Sequence, residues 1–304
     1  VQIPPTPKIP KYLPFADGKW QLTMGVKPLD LATWIEIDEE FERELLLKEE
    51  LLRDRYGDVF VALPGSEASQ QETLEVILEH LQKYFPQYYQ WDQDSIACLS
   101  TGQVWKFADF HHAPLDLAGR IIQEDIVLME ASPQGYIMTA AAECFRLMWS
   151  IHEKIGKPLA QIHSPVPDYD KKLEHPMDNL FAKMKPEHPL WRMNWGIVDE
   201  PIMLLEKERY KEELETRITP ENAGENLWLR MERQCLRRLP RTGAIVFFTH
   251  TYIHPLSAME QIPPVAAALA SALKQMPQSM QSYKNILPVR EAIYSYLEKI
   301  SHHV

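Results

Sequence analysis

Hydrophobic positions recur along the chain with two periods, a helical one near both ends and an alternating one in the middle. Between Asp38 and Tyr56 the sequence is acidic and leucine-rich. Asp38 stands as a possible cap, and Glu39, Glu40 and Glu42 suit the positive end of a helix, so this stretch predicts a surface helix. A second helix is clearer: Ser69 and Glu72 have capping-box spacing, and Leu74, Ile77, Leu78 and Leu81 share one face until Pro86 stops the run. Between Ala97 and Phe107 the pattern becomes strand-like about Gly102, and Pro114 can open a short helix carrying Leu117, Ile121 and Ile122. Two apolar runs, Ile126 to Met129 and Tyr136 to Phe145, flank the turn-forming Ser132-Pro133-Gln134-Gly135 and predict an antiparallel hairpin. A helix over about Ser150 to Ile162 should be broken or re-aimed by Gly156 and Pro158.

Further on, Trp191 to Val198, Leu227 to Arg233 and Ala244 to Ile253 predict strands, the second through the alternation of Leu227, Leu229 and Met231. Two helices close the chain, one over Val265 to Met276 before Pro277 and one with Val289, Ile293, Leu297 and Ile300 at helical spacing. Helices at both ends around an antiparallel centre predict an α+β fold. No Gly/Ser-rich linker, charge block or repeat divides the 304 residues, so one unit is expected. It comprises a helical N-terminal part over 1–95, a sheet-containing core over 96–256 and C-terminal helices over 257–304.

Composition narrows the function. With 45% hydrophobic and 25% charged residues the chain has ample material for a core. Its net charge of -11 lacks the basic footprint that nucleic acid demands. Three cysteines, Cys98, Cys144 and Cys235, form no close pair, which fits a reducing compartment rather than a disulfide framework. No apolar run approaches the roughly 20 residues of a membrane span, and the proline-rich Val1 to Pro14 has no signal-peptide core, so a cytoplasmic location is expected. A phosphate-cradling glycine loop, a Gly-x-Ser-x-Gly elbow and a His-Glu-x-x-His helix are all missing, which weakens the common nucleotide and hydrolase readings.

Three stretches are denser in chemistry than packing requires. In Ile162-His163-Ser164-Pro165-Val166-Pro167 a histidine ends a helix and two prolines stiffen the exit, which can aim an imidazole at a haem or metal. A capping or hydrogen-bonded core histidine suits the same spacing. In Arg230-Met231-Glu232-Arg233-Gln234, strand alternation sends Arg230 and Glu232 to the face opposite Leu229 and Met231. There Glu232 can orient a cationic amine or relay protons, and an arginine nearby can grip a carboxylate; a solvated salt-bridge ladder is the bland alternative. In Trp191-Arg192-Met193-Asn194-Trp195 the aromatics either wall a flat ligand or belong to the core. His111 and His112 can ligate a metal or touch a propionate, though such a pair is more often exposed loop, and His250 and His254, four apart on one strand face, lack a third ligand nearby in sequence for a metal.

The ordered series of these segments resembles the family of the α subunit of haem-dependent oxidative N-demethylase and the fungal HRQ proteins. Its pieces are Leu22-Thr23-Met24-Gly25 with Lys27-Pro28-Leu29 and Trp34, then Pro114-Leu115-Asp116 and Gln123-Glu124-Asp125. Trp149, Glu153-Lys154-Ile155-Gly156 and Ile162 to Pro167 come next, followed by Arg192 to Trp195, Glu232-Arg233-Gln234, Leu236, Leu239-Pro240 and Tyr283-Lys284. Two places depart from the pattern: Arg146-Leu147-Met148 stands where the family usually has a small Pro-Ser pair, and His250 where many members carry arginine. The resemblance implies a PAS-like sheet with helical additions that holds one b-type haem through a histidine. It also implies oxygen-dependent removal of a methyl group from a small secondary amine, with electrons from partner flavin, iron-sulfur and NADPH components. Carried over by residue, His163 is the implied iron ligand, Glu232 the distal carboxyl group, and Arg192, Asn194 and Arg233 the implied haem contacts. A haem sensor or carrier without turnover is the alternative reading, and an interaction scaffold that has lost haem is a third.

Overall fold

The structure is a computed structural model that describes residues 8–206 and 217–302. The first seven residues of the proline-rich start lie outside the described residues. Ten strands occur among the described residues: β1 (Lys27–Pro28), β2 (Phe60–Ala62), β3 (Tyr89–Trp91), β4 (Ser95–Cys98), β5 (Val104–Lys106), β6 (Asp125–Ser132), β7 (Gly135–Ala142), β8 (Leu190–Val198), β9 (Trp228–Arg238) and β10 (Ile245–Pro255). Seven of them form one antiparallel sheet in the order β1-β8-β9-β10-β6-β7-β2, and β3-β4-β5 form a small second sheet. The predicted hairpin is β6-β7, turning at Pro133-Gln134, and Gly102 turns β4 into β5 with φ of +72°. The N-terminal segment is not only helical, because β1 and β2 come from it and edge the large sheet.

The large sheet is covered on both faces, and strand alternation sorts its side chains. One face carries Ile126, Leu128, Ala140, Ala142, Cys235, Val246 and Phe248, which pack under the helices Phe41–Asp54, Glu67–Tyr84 and Pro114–Arg120. On the same face, further along the strands, Leu229, Met231 and Ile197 meet the C-terminal helices Pro263–Gln275 and Arg290–Ser301. The opposite face carries Val127, Met129, Ala141, Leu236 and Ile245 against the Ile151–Lys154, Leu159–Ile162 and Glu174–Lys183 helices. At roughly 25 cal/mol per Å² of apolar surface, these three clusters are the main stabilising term.

Two sequence-based expectations need correction. The Glu67–Tyr84 helix begins before Ser69, with Ser66 as its cap, so Ser69 and Glu72 form no capping box. Their side chains are drawn into tertiary bonds instead: Ser69 Oγ donates to Glu130 at 2.5 Å, and the Glu72 carboxylate accepts from the backbone of Arg241 and Thr242 at 2.8 and 2.7 Å. The acidic N-terminal helix starts at Phe41, and its Phe41, Glu44, Leu45, Lys48 and Leu52 are buried, so only part of its circumference is surface. As expected, Gly156, at φ +74°, separates two short helices in the 150–162 stretch.

Several segments that looked chemical turn out to hold the scaffold. Gln123 donates to Asp38 and Glu44, both at 2.7 Å, while Asp125 accepts from the backbone of Cys144 and Phe145 at 2.9 and 2.7 Å. Glu124 accepts from His250 at 3.1 Å and from the Glu36 backbone at 2.9 Å. The buried Lys48 ammonium donates to the Glu124 carbonyl at 2.6 Å and stands 3.5 Å from Asp125. Arg146 donates to the carbonyls of Glu143 at 3.1 Å and Trp149 at 2.7 Å, bracing from within a turn that a proline would stiffen by restricting φ.

Candidate functional site

Residues 190, 192, 194 and 196 of β8 and 230, 232, 234 and 236 of β9 point to the face covered by the 151–183 helices, because side chains alternate along a strand. The register sets Asn194 opposite Glu232 and Arg192 opposite Gln234, with Thr251 and Thr249 of β10 beyond them. In the middle of a sheet such residues should be sealed off. Yet Arg192, Asn194, Glu232, Gln234, Phe247 and Thr249 are all only half-buried, so the helical layer leaves this part of the face open.

Glu232 sits among donors. Its Oε2 accepts from Asn194 Nδ2 and Gln234 Nε2, both at 3.1 Å, and its Oε1 from Arg230 Nε at 3.4 Å. Arg230 is 1% exposed, which excludes a solvated ladder. Its guanidinium is fixed by the carbonyl of Phe145, by those of Met203 and Ile202 at 3.1 and 3.3 Å, and by Thr251 Oγ1 at 3.5 Å. Lys284 Nζ donates to Asn194 Oδ1 at 3.2 Å and to the Trp195 carbonyl at 2.6 Å.

His163 follows the Leu159–Ile162 helix. Its Nδ1 bonds the Leu159 carbonyl at 2.9 Å, and its ring stacks on Tyr169 with centroids 4.8 Å apart and planes 9° apart. A carbonyl can only accept, so Nδ1 carries the proton and Nε2 presents a lone pair with no hydrogen-bond partner among the described residues. Burial, reinforced by the charges of Lys154 and Arg192, lowers the imidazole's pKa to about 4, so the ring is neutral at physiological pH.

Two cations, Arg192 and Lys154, stand near His163. Arg192 Nε is buried without a partner among the described residues, and burial holds the group below the usual arginine value against the pull of Glu232. Lys154 lies over the Trp149 ring at 3.7 Å. Burial lowers its pKa to about 8, while Glu143, Glu232 and Glu153 pull it upward. Glu143, 4% exposed and with an Oε2 that has no partner among the described residues, lies at the margin of this face, and burial and then Asp125 push its pKa well above the carboxylate range.

The structure therefore brings His163, Arg192, Asn194 and Glu232 to one side of the sheet and does not bring Arg233 there. Arg233 is one residue out of phase: it bonds the carbonyls of Thr33 at 2.5 Å and Trp34 at 3.3 Å and stands 3.5 Å from Glu36 on the opposite face. Trp191, Met193 and Trp195 share that opposite face, where Trp195 meets Phe15 and Trp191 meets Tyr12, so the tryptophans are half-buried and pack against the core. His111 and His112 are exposed, their rings tilted at 46° with centroids 3.5 Å apart. His250 lies between carboxylates, with Asp38 and Glu124 each 3.1 Å from a ring nitrogen. Near it a cavity of ≈ 220 Å³, lined by Asp38, Glu44, Tyr252 and His254 among others, is below the roughly 300–1,000 Å³ of ordinary ligand sites. Sequence reasoning missed Lys154, Lys284 and Glu143 as members of the site, since only the fold carries them to Glu232.

These features define a mixed α+β protein whose main sheet presents along one open face a His163 Nε2 and an Arg192 Nε that have no hydrogen-bond partner among the described residues, beside a donor-ringed carboxyl group. Residues 25–294 match the family model described as haem-dependent oxidative N-demethylase, alpha subunit-like, and the chain belongs to that family.

Proposed function

We infer that this chain is a haem-dependent oxidoreductase that demethylates a small secondary amine, with the haem seated on the open face of the sheet. The observation that carries this reading is the His163 ring, held by Leu159 and Tyr169 with Nε2 bare and unprotonated. A neutral imidazole oriented through its other nitrogen is the usual form of a haem ligand. Arg192, whose Nε has no partner among the described residues, and Lys154, which lies over the Trp149 ring, suit the two propionates of a b-type haem. The residues present thus fit the group. In the proposal the whole chain is one haem-binding unit, and its sheet with helices on the ligand side is PAS-like.

When bound, haem would supply the iron at which oxygen is reduced. In overall balance, the secondary amine, one oxygen molecule, two electrons and two protons give a primary amine, formaldehyde and water. The protein's own part is to hold the substrate ammonium on Glu232 and later accept its proton, with Arg230, Gln234 and Asn194 keeping that carboxyl group in one orientation. The electrons come, in this reading, from separate flavin, iron-sulfur and NADPH components in the cytoplasm. Among the described residues no helix is long and apolar enough to cross a membrane, and all three cysteines are buried and free, which accords with that setting.

Haem-loaded protein, supplied with a reductase, oxygen and a panel of secondary methylamines, is expected to release formaldehyde and primary amine in equal amounts. Reduced haem protein that consumes oxygen without forming formaldehyde from any of them would overturn the demethylase assignment and leave a haem carrier.

A further inference from the structure

Lys284 has no catalytic reading in the sequence, yet its ammonium touches the group that touches Glu232. An ammonium only donates, so the end of Asn194 at 3.2 Å from Lys284 Nζ must be the amide oxygen. The amide nitrogen is then left to face Glu232 Oε2 at 3.1 Å. We propose that Lys284 is a positioning residue that locks the Asn194 side chain and so fixes where Glu232 holds a substrate ammonium. This rests on the amine-binding role of Glu232 proposed above.

Without the ammonium, the Asn194 amide loses the donor that anchors its oxygen and is held only through its bond to Glu232, so one of the three donors that orient the carboxyl group is no longer fixed in place. A merely structural role would need only the 2.6 Å bond to the Trp195 carbonyl, which ties the 283–285 turn to β8. The charged groups facing Lys284 are Glu232 and Arg192, the first favouring the ammonium and the second opposing it. Burial outweighs both and brings its pKa down to about 8. Above that pH the neutral amine is a weaker donor than the ammonium, and the lock loosens.

Calorimetric titration of haem-loaded protein with dimethylammonium chloride tests this. Wild-type affinity is expected to fall on the order of tenfold between pH 7 and pH 9, the scale of one charge-assisted hydrogen bond. Lys284→Arg, whose guanidinium stays charged, should flatten that fall. Lys284→Met should bind weakly at both pH values with haem content and near-ultraviolet dichroism unchanged. Lys284→Arg retaining the wild-type alkaline fall, or a folded Lys284→Met with wild-type affinity, overturns the role of Lys284. If Glu232→Gln abolishes binding in the same series, that failure is confined to Lys284. If Glu232→Gln binds normally, the amine site itself is wrong and both proposals fall.

Discussion

Glu232→Gln is expected to lower kcat/KM for demethylation by about 10²–10⁴, the usual contribution of a positioned acid-base group, while haem content stays at the wild-type level. The reason is local. Every nearby polar contact to Glu232 is a donor, from Asn194, Gln234 and Arg230, and the charges of Lys154, Arg192 and Lys284 bear on the same carboxyl group. An amide in its place removes the negative charge and turns one NH₂ toward groups that also donate. Rates of formaldehyde release across amine concentrations, with haem measured on the same samples, check this. A variant within threefold of wild type would remove Glu232 from the chemistry.

The second large effect concerns stability and lies across the sheet. His250 is 0% exposed, and burial alone would lower its pKa. Glu124 and Asp38, at its two ring nitrogens, reverse that and raise it to about 10. The raised folded pKa means that its stabilisation is complete below about 6.5, the unfolded value, and is lost as pH rises through about 10. Asp38 acts at the other end: burial opposes it, but the bond and charge of His250 bring its pKa to about 2, so its contribution is present above about 3.8 and lost as pH falls toward 2. Buried Glu44, raised to about 7 by burial and by Asp38, adds a fall in stability between about 4.5 and 7. His250→Gln leaves the buried Glu124 and the half-buried Asp38 without their cation and is expected to cost about 3–5 kcal/mol in urea unfolding at pH 6. It should also abolish the decline of stability between about 6.5 and 10. Equal stabilities of the two proteins at pH 6 would contradict this account of the buried ion pairs.

Much of this arrangement can be read in the sequence where the information is local. The hairpin at Pro133-Gln134 and the break at Gly156 follow from turn chemistry within a few residues. The alternation of Leu229 and Met231 puts Arg230 and Glu232 on one face, as the structure has them. The same alternation excludes Arg233 from that face, and treating Glu232-Arg233-Gln234 as one functional word obscured this. Ser69 and Glu72 show the opposite failure: a correct local spacing is overridden by Glu130 and by the 241–242 backbone, far away in the chain. Lys284 reaches Asn194 across 90 residues, and Lys154 and Glu143 meet Glu232 only through packing, so no period or spacing announces them. The two departures from the family pattern also acquire physical roles, Arg146 as an internal brace and His250 as the cation between Glu124 and Asp38.

The claim on which the function depends is that His163 Nε2 ligates haem iron. Resonance Raman and absorption spectra of the ferrous protein, recorded for wild type, His163→Ala and His163→Ala with added imidazole, test it most directly. The account predicts one haem per chain with an iron–histidine band in wild type, loss of that band in the variant and its return with imidazole. An unchanged band and unchanged haem content in His163→Ala would contradict it.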